Sequence, residues 1–262
     1  MGERPDRVLV VLPTYNEADN LTVVVARVRS AVPEADVLVV DDGSPDGTGD
    51  VADDLAAGDE QILVLHRAAK EGLGAAYVEG LRWGLERGYA RFVQMDADGS
   101  HLPEQIPMLL AGLAKADLVI GSRWVPGGSV QHWPWSREVL SRGGNLYARL
   151  ATGVGVRDAT GGFRAWRRSA LMAVDLTTVA STGYCFQVDL TRRAAAADMR
   201  VLELPIRFVE RTRGESKMSG AIVREALWRV TAWGVQDRWL RARSRGRAGA
   251  APAGASWNRE EA

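Results

Sequence analysis

The stretch that settles the fold runs Val8-Leu9-Val10-Val11-Leu12-Pro13-Thr14-Tyr15-Asn16-Glu17, continues through Leu21–Val32, and reaches Val37-Leu38-Val39-Val40-Asp41-Asp42-Gly43. Both apolar runs are continuous rather than alternating, as strands covered on two faces are. Between them lies an amphipathic segment that stops at Pro33, the pattern of a helix. Strand, helix, strand is the opening unit of a parallel sheet. The rhythm then repeats. Ile62–Leu65, Phe92–Met95 and Leu118–Ile120 read as further strands. Val51–Ala57, Ala75–Arg87 and Pro103–Ala114 read as helices, punctuated by Gly58, Gly88 and Pro103. The expectation is a doubly wound α/β fold with a mostly parallel central sheet and helices on both faces. Right-handed crossovers leave few topologies open.

Past Ser122 the pattern changes. Trp124 to Trp135 reads as a loop rich in Gly, Pro and Trp. Glu138–Thr152 and Gln187–Ala197 look helical, Val201–Phe208 looks like one strand, and Gly220–Arg243 looks like a long helix. From Ser244 the chain is Arg, Gly, Ala, Pro and Ser, so residues 1–243 are expected to form one domain and 244–262 a disordered tail.

Composition narrows the function classes. Lys+Arg and Asp+Glu both number 33, so a chain-wide attraction to nucleic acid is not expected. The single cysteine, Cys185, excludes an internal disulfide framework and fits a reducing compartment; it reads as a small buried apolar side chain. No stretch approaches the roughly 18 apolar residues of a membrane span. Val8–Leu12 is too short for a signal-peptide core. The protein is expected in the cytoplasm.

Ligands of open α/β sheets bind beyond the carboxyl ends of the strands. Polar motifs fall at those ends: Pro13–Glu17, Asp41–Gly47, Lys70–Gly74, Asp96-Ala97-Asp98 and Gly121-Ser122-Arg123. The sharpest is Asp96-Ala97-Asp98. Two carboxylates at i and i+2 after an apolar strand can hold Mg²⁺ or Mn²⁺, hard ions that also bind substrate phosphates. Asp41-Asp42 reads both as a turn and as an acceptor for a base or ribose. Pro13–Glu17 reads as a helix start, capped by Asn16 or Asn20, or as a Tyr and Glu that hold a base. Arg123, Arg137, Arg211, Arg213 and Lys217 are candidate phosphate binders or solvated cations, with Arg123 on the rim. Arg211–Lys217, with Gly214, reads as a phosphate-closing loop or a plain charged loop. His101 follows the acidic pair and is expected to be structural or peripheral.

Together these residues resemble family 2 glycosyltransferases with the GT-A, Rossmann-like fold. Val-Leu-Pro-Thr-Tyr-Asn-Glu17, Val-Val-Asp-Asp-Gly-Ser-Pro-Asp-Gly-Thr48, Met-Asp-Ala-Asp-Gly-Ser-His101 and Gly-Ser-Arg123 carry that resemblance. Gly-Gly-Ser-Val-Gln-His-Trp-Pro-Trp135, Asp-Ala-Thr-Gly-Gly-Phe-Arg-Ala165, Gly-Tyr-Cys-Phe-Gln187 and Arg-Gly-Glu-Ser-Lys-Met218 narrow it to the dolichyl- or polyprenyl-phosphate mannose synthases of actinobacterial type. The resemblance spans about residues 7–240. It implies transfer of mannose from GDP-mannose to a polyprenyl phosphate with inversion. It also implies residue roles. Pro13, Tyr15, Glu17, Val40 and Asp42 match guanosine-side positions. Asp96, Ala97 and Asp98 match the diphosphate and metal segment. Arg123, Arg211 and Lys217 match cations on the donor diphosphate or acceptor phosphate, and Arg137 and Ser141 match acceptor-phosphate positions. Where some relatives use a Gln on the metal this chain has Ser100, too short a ligand for direct coordination.

A phosphate acceptor is already anionic near neutral pH, so no general base is required. A lipid acceptor calls for a membrane. Gly220–Arg243, with Trp228, Trp233 and Trp239 among arginines, suits either a helix lying in an interface or one docked on the sheet. The resemblance implies a separate integral membrane partner and a place on the inner face of the cell membrane. The rival readings are a glucosyl or other sugar-lipid synthase, a non-catalytic nucleotide-binding protein, and a dinucleotide oxidoreductase. The last lacks its G-x-G-x-x-G after the first strand.

Overall fold

In the computed structural model, which describes residues 6–179, 185–210 and 227–236, the apolar runs become strands. β1 (Val8–Thr14), β2 (Asp36–Asp41), β3 (Ile62–His66), β4 (Arg91–Gln94) and β5 (Leu118–Ser122) fall where the sequence placed them. The intervening helices are α1 (Ala18–Ala31), α2 (Thr48–Gly58), α3 (Leu73–Glu86) and α4 (Ile106–Gly112). The last follows a 3-10 turn at Pro103–Gln105.

The second half differs in three places. The stretch read as a loop from Trp124 to Trp135 contains a short strand, β6 (Ser129–Gln131). After α5 (Trp135–Thr152) come an unforeseen strand, β7 (Arg164–Arg167), and an unforeseen helix, α6 (Arg168–Val174). After α7 (Cys185–Ala196), the expected single strand at Val201–Phe208 is two: β8 (Val201–Pro205) and β9 (Arg207–Val209). Ile206 is the crossing point. Its N–H donates to the Ser122 carbonyl of one sheet, and its carbonyl accepts from Ser129 of the other. The expected tail from Ser244 and the Arg211–Lys217 loop lie outside the described residues.

The central sheet has the order β3-β2-β1-β4-β7-β5-β8. All pairings are parallel except those of β7, which runs antiparallel between β4 and β5. β6 and β9 form a small parallel pair beside it.

Strand side chains alternate between faces, and here both faces are covered. Leu9, Val11, Leu38, Val40 and Phe92 pack with Tyr77 and Leu81 of α3 and Phe186 of α7. Val8, Val10 and Leu12 pack with Leu21, Val24 and Val28 of α1 and with Ile106 and Leu109 of α4. The carboxyl ends of the parallel strands therefore share one rim.

α3 lies unusually close to the sheet, and two glycines permit it. A Cβ at Gly80 would stand 2.6 Å from Val11, and one at Gly84 would stand 2.5 Å from Leu9 and 2.6 Å from Phe92. Replacing Gly84 with Ala raises helix propensity by about 1 kcal/mol, but overpacking costs about 1–3 kcal/mol. The Gly84→Ala protein should unfold at a lower urea midpoint with an unchanged slope. A higher midpoint would mean that α3 does not press on the sheet this closely.

Candidate active site

Asp96 and Asp98 emerge where β4 ends, one on each side of buried Ala97. Each carboxylate is held from behind. Tyr77 of α3, fully buried and stacked on Phe186, donates its hydroxyl to Asp96 Oδ1 at 2.7 Å. Ser100 donates both its backbone N–H, at 3.0 Å, and its hydroxyl, at 2.6 Å, to Asp98 Oδ1. Ser100 is thus an orienting partner of Asp98, in keeping with its short side chain. Asp96 keeps 29% of its side chain exposed. Its carboxyl is pushed up by burial first, Asp98's like charge adds to the shift, and the Tyr77 bond and Arg123 oppose it. Two acidic groups in this setting create a demand for a cation.

His101 is not peripheral but part of the frame. It is buried, stacked on Phe163 at 5.0 Å and edge-on to Phe208 at 5.2 Å. Its Nδ1 accepts the Asp96 backbone N–H at 3.1 Å, so that nitrogen carries no proton. Burial lowers its pKa, against the pull of Asp96 and Asp98. The neutral ring fixes the backbone of the acidic pair and does not pair with its carboxylates as a cation.

Arg123 follows β5 and is buried, with its guanidinium forked on Asp158. Nε donates to Oδ2 at 2.8 Å and a terminal nitrogen to Oδ1 at 2.7 Å, while the Arg123 backbone N–H donates to Oδ2 at 2.9 Å. Thr160 Oγ1 accepts from the same guanidinium at 3.0 Å. Burial works to raise the Asp158 pKa, but Arg123's charge and hydrogen bonds outweigh it and the net shift is down. The Arg123 guanidinium also lies about 5.5 Å from the Trp133 ring centroid. The fork ties down a cation that the sequence presented as a rim phosphate binder.

α5 supplies the opposite wall. Arg137, Ser141 and Asn145 lie four residues apart on one helix face. Arg137 pairs with Glu210 and covers the Trp133 ring at 4.2 Å. Buried Asn145 clamps Thr160 twice: its amide N donates to Thr160 Oγ1 at 3.0 Å, and its Oδ1 accepts the Thr160 N–H at 3.1 Å. α5 is thereby fastened to the loop that holds Arg123.

Asp96, Asp98, Arg123, Arg137 and Ser141 line one cavity together with apolar Leu140, Leu227 and Val230. Cys185, buried as expected, is also on its wall. Pro13, Tyr15, Glu17, Val40 and Asp42 lie outside that lining, on the neighbouring strands β1 and β2 and the turns after them. Pro13 and Val40 are register partners, and the Val40 side chain is core, so only its backbone can meet a ligand. Glu17 stands at the start of α1 and accepts from Asn20 at 2.8 Å. Neither Asn16 nor Asn20 caps the helix. The Lys70 ammonium sits 3.7 Å from the Tyr15 ring centroid. Asp42 is buried, paired with Arg67, and accepts the Gly72 N–H at 3.0 Å. Arg211 and Lys217 lie outside the described residues.

Tyr77, Asn145, Asp158 and Thr160 carry no assigned role in the sequence reading. Tyr77 hides in the apolar stripe of α3, and Asn145 looks like an ordinary polar helix residue. Asp158 and Thr160 lie inside Asp-Ala-Thr-Gly-Gly, which marks the family without revealing which charge it serves. Nothing local announced them: the pairing follows from the burial of Arg123, which the sequence placed on the rim.

The family model described as Glycosyl transferase family 2 matches residues 9–174. An undecaprenyl-phosphate mannosyltransferase from Micrococcus luteus is 58% identical over 239 residues, covering 90% of this chain and 98% of the relative. A polyprenol monophosphomannose synthase from Mycolicibacterium smegmatis is 55% identical over 239 residues, covering 90% of each. Among solved structures, a mannosyltransferase from Pyrobaculum calidifontis in complex with GDP-Man and Mn²⁺ aligns with a TM-score of 0.54 at 17% identity, covering 94% of this chain and 76% of that one. With a GT-A sheet, an acidic pair at the end of its fourth strand and relatives this similar, the chain belongs to glycosyl transferase family 2.

Proposed function

We propose that this protein transfers mannose from GDP-mannose to a polyprenyl phosphate, with inversion at the sugar. The observation that carries the reading is the cavity itself. One wall holds Asp96 and Asp98, the opposite wall holds Arg137 and Ser141, and Leu140, Leu227 and Val230 add an apolar side. A nucleotide diphosphate, an anionic acceptor and the start of a prenyl chain each find a matching surface. The names of the relatives carry the mannose and the polyprenyl phosphate of that combination.

Two carboxylates on one wall fit a divalent cation such as Mg²⁺ or Mn²⁺. No third Asp, Glu, His or Cys joins them among the described residues, so substrate phosphate oxygens would complete the shell. Such an ion would neutralise charge on the leaving diphosphate. The protein's own part is positioning. Tyr77 and Ser100 fix the two carboxylates, and Arg123 and Arg137 present positive charge to the acceptor. His101 is unsuited to act as a base, because its Nδ1 is engaged and its ring is packed between two phenylalanines. An acceptor phosphate that is already ionised needs none. Pro13, Tyr15, Glu17, the Val40 backbone and Asp42 would take the guanosine, with Arg211 and Lys217 closing on the phosphates.

The acceptor is a lipid, and α5 offers a way to reach it. Trp135, Val139, Leu146 and Leu150 fall on one stripe, opposite the face bearing Arg137, Ser141 and Asn145, and all four are exposed. Helix 227–236 packs beside α5: Tyr147 meets Thr231 at 2.5 Å, and Gly234 abuts Ala151. It buries Val230 and exposes Trp228 at 74%, so it is both docked and outward-facing. No helix among the described residues is long and apolar enough to cross a membrane. We read this double face as resting on the inner surface of the cell membrane, with a separate integral membrane protein as tether.

Three outcomes test the reading. Incubated with membranes and labelled GDP-mannose, UDP-glucose or UDP-N-acetylglucosamine, the protein should label lipid from GDP-mannose alone, and a chelator should abolish the signal; label only from a UDP sugar would overturn the donor. Ser100→Ala should raise the Mn²⁺ concentration needed for half-maximal rate by about 10–100-fold, with the rate at saturating metal little changed; an unchanged metal requirement would remove Ser100 from any role in holding Asp98. Val139→Glu with Leu150→Glu should weaken sedimentation with lipid vesicles at least tenfold. Undiminished sedimentation would show that α5 does not face the bilayer.

A further inference from the structure

Beside the apolar stripe of α5 lies a second, smaller cleft, lined by Trp124, Arg142, Asn145, Leu146, Arg149 and Arg157. Three exposed arginines line it. Arg142 is balanced by Glu138 at 2.8 Å and lies flat on the Trp124 ring at 4.2 Å. Arg149 and Arg157 have no carboxylate partner among the described residues. Glu203 turns its oxygens to the backbone N–H groups of Arg157 at 2.7 Å and Asp158 at 2.9 Å. Gathering like charges in one cleft costs free energy unless an anion fills it. Guanidinium groups suit phosphate oxygens through paired, planar hydrogen bonds. The cleft is separate from the cavity of Asp96 and Asp98, whose lining includes neither Arg149 nor Arg157.

Its place in the fold says which phosphate. Leu146 both lines the cleft and belongs to the exposed apolar stripe. An occupant would therefore have its phosphate between Arg149 and Arg157 and its apolar part alongside Leu146 and Leu150. We propose that this cleft binds the phosphate headgroup of an anionic phospholipid, and that it is a lipid-recognition site distinct from the acceptor site. The site deepens the membrane-bound reading above and rests on it. It makes association depend on the charge of the leaflet and not on apolar area alone. A basic side chain near an anionic leaflet strengthens binding about fivefold, so the two unpaired arginines together are worth roughly twentyfold to thirtyfold.

The test uses the full chain and vesicles of phosphatidylcholine with or without phosphatidylglycerol, and no nucleotide sugar. The wild-type protein should sediment markedly better with phosphatidylglycerol present. Arg149→Gln with Arg157→Gln should lose roughly twentyfold on those vesicles and little on neutral ones. Turnover of a detergent-dispersed polyprenyl phosphate should stay within about twofold of wild type. Arg27→Gln with Lys115→Gln removes the same charge from the opposite face of the sheet and should change vesicle binding little. Equal binding to both vesicle types, or an equal loss in the control pair, overturns the site. Inorganic phosphate is the competing source of the same chemistry. If it displaces the protein from vesicles at constant ionic strength, the cleft is a free-phosphate site and the lipid assignment is wrong. A protein that shows the lipid preference yet labels no lipid from GDP-mannose would refute the mannosyl reading and leave the cleft standing.

Discussion

The buried fork between Arg123 and Asp158 holds the site together. A carboxylate with no exposed surface is expensive to create, and an ion pair recovers that cost only when its remaining hydrogen-bonding capacity is filled. Here it is filled. Asp158 takes two guanidinium donors and the Arg123 backbone N–H, and Thr160 joins the same guanidinium. Its backbone N–H is taken by Glu203 of β8. The pair thus joins the end of β5, the loop before β7 and, through Glu203, the outermost strand. Removing either partner would leave an uncompensated charge in the interior, so the geometry at the end of β5 is strongly specified.

From that fork the network reaches α5 through Asn145. The amide orientation is determined by its surroundings: only one arrangement gives the Thr160 N–H an acceptor and the Ser141 carbonyl a donor. Ser141 and Arg137, one and two turns earlier on the same face, inherit their position from this clamp. The two walls of the cavity are then not independent. The acidic wall stands on β4 and is braced by Tyr77, Ser100 and His101. The cationic wall stands on α5 and is braced by Asn145, Thr160 and Asp158. Bracing by buried hydrogen bonds suits a reaction whose protein contribution is placement of charge.

How much of this was legible follows from where the information lies. β1 to β5 could be read because each carries an apolar run ahead of a polar motif in a repeating strand–helix rhythm. β7 could not, since Arg164-Ala165-Trp166-Arg167 begins and ends in charge. Its Arg164 is fully buried, with Nε on the Gly161 carbonyl and a terminal nitrogen on that of Ala159, both at 2.7 Å, and burial lowers its pKa to about 9. A buried arginine that serves its own loop is a tertiary fact with no local signature. The same holds in the site. Asp96 and Asp98 are legible because a strand end and an i, i+2 spacing are local. Arg137 read only as one candidate phosphate binder among several cations, and Ser141 came only from resemblance. Tyr77 and Asn145 act through partners 19 and 15 residues away, a distance at which residue type alone says nothing.

α5 resolves the apparent conflict between a polar reaction and a greasy acceptor. Helical periodicity divides its surface cleanly. Arg137, Ser141 and Asn145 look inward, while Trp135, Val139, Leu146 and Leu150 look outward. In an isolated domain the outward stripe would be a liability, because exposed apolar patches favour association. Against a bilayer it becomes the means by which the inward face is set at a fixed depth below the headgroups. Under the proposed function, the prenyl chain behind the acceptor phosphate would lie against Leu140 and Leu227, which line the cavity with Arg137. Under that proposal one helix would set the distance between lipid surface and acidic pair. The proposed headgroup cleft beside Leu146 would add an electrostatic latch to that setting.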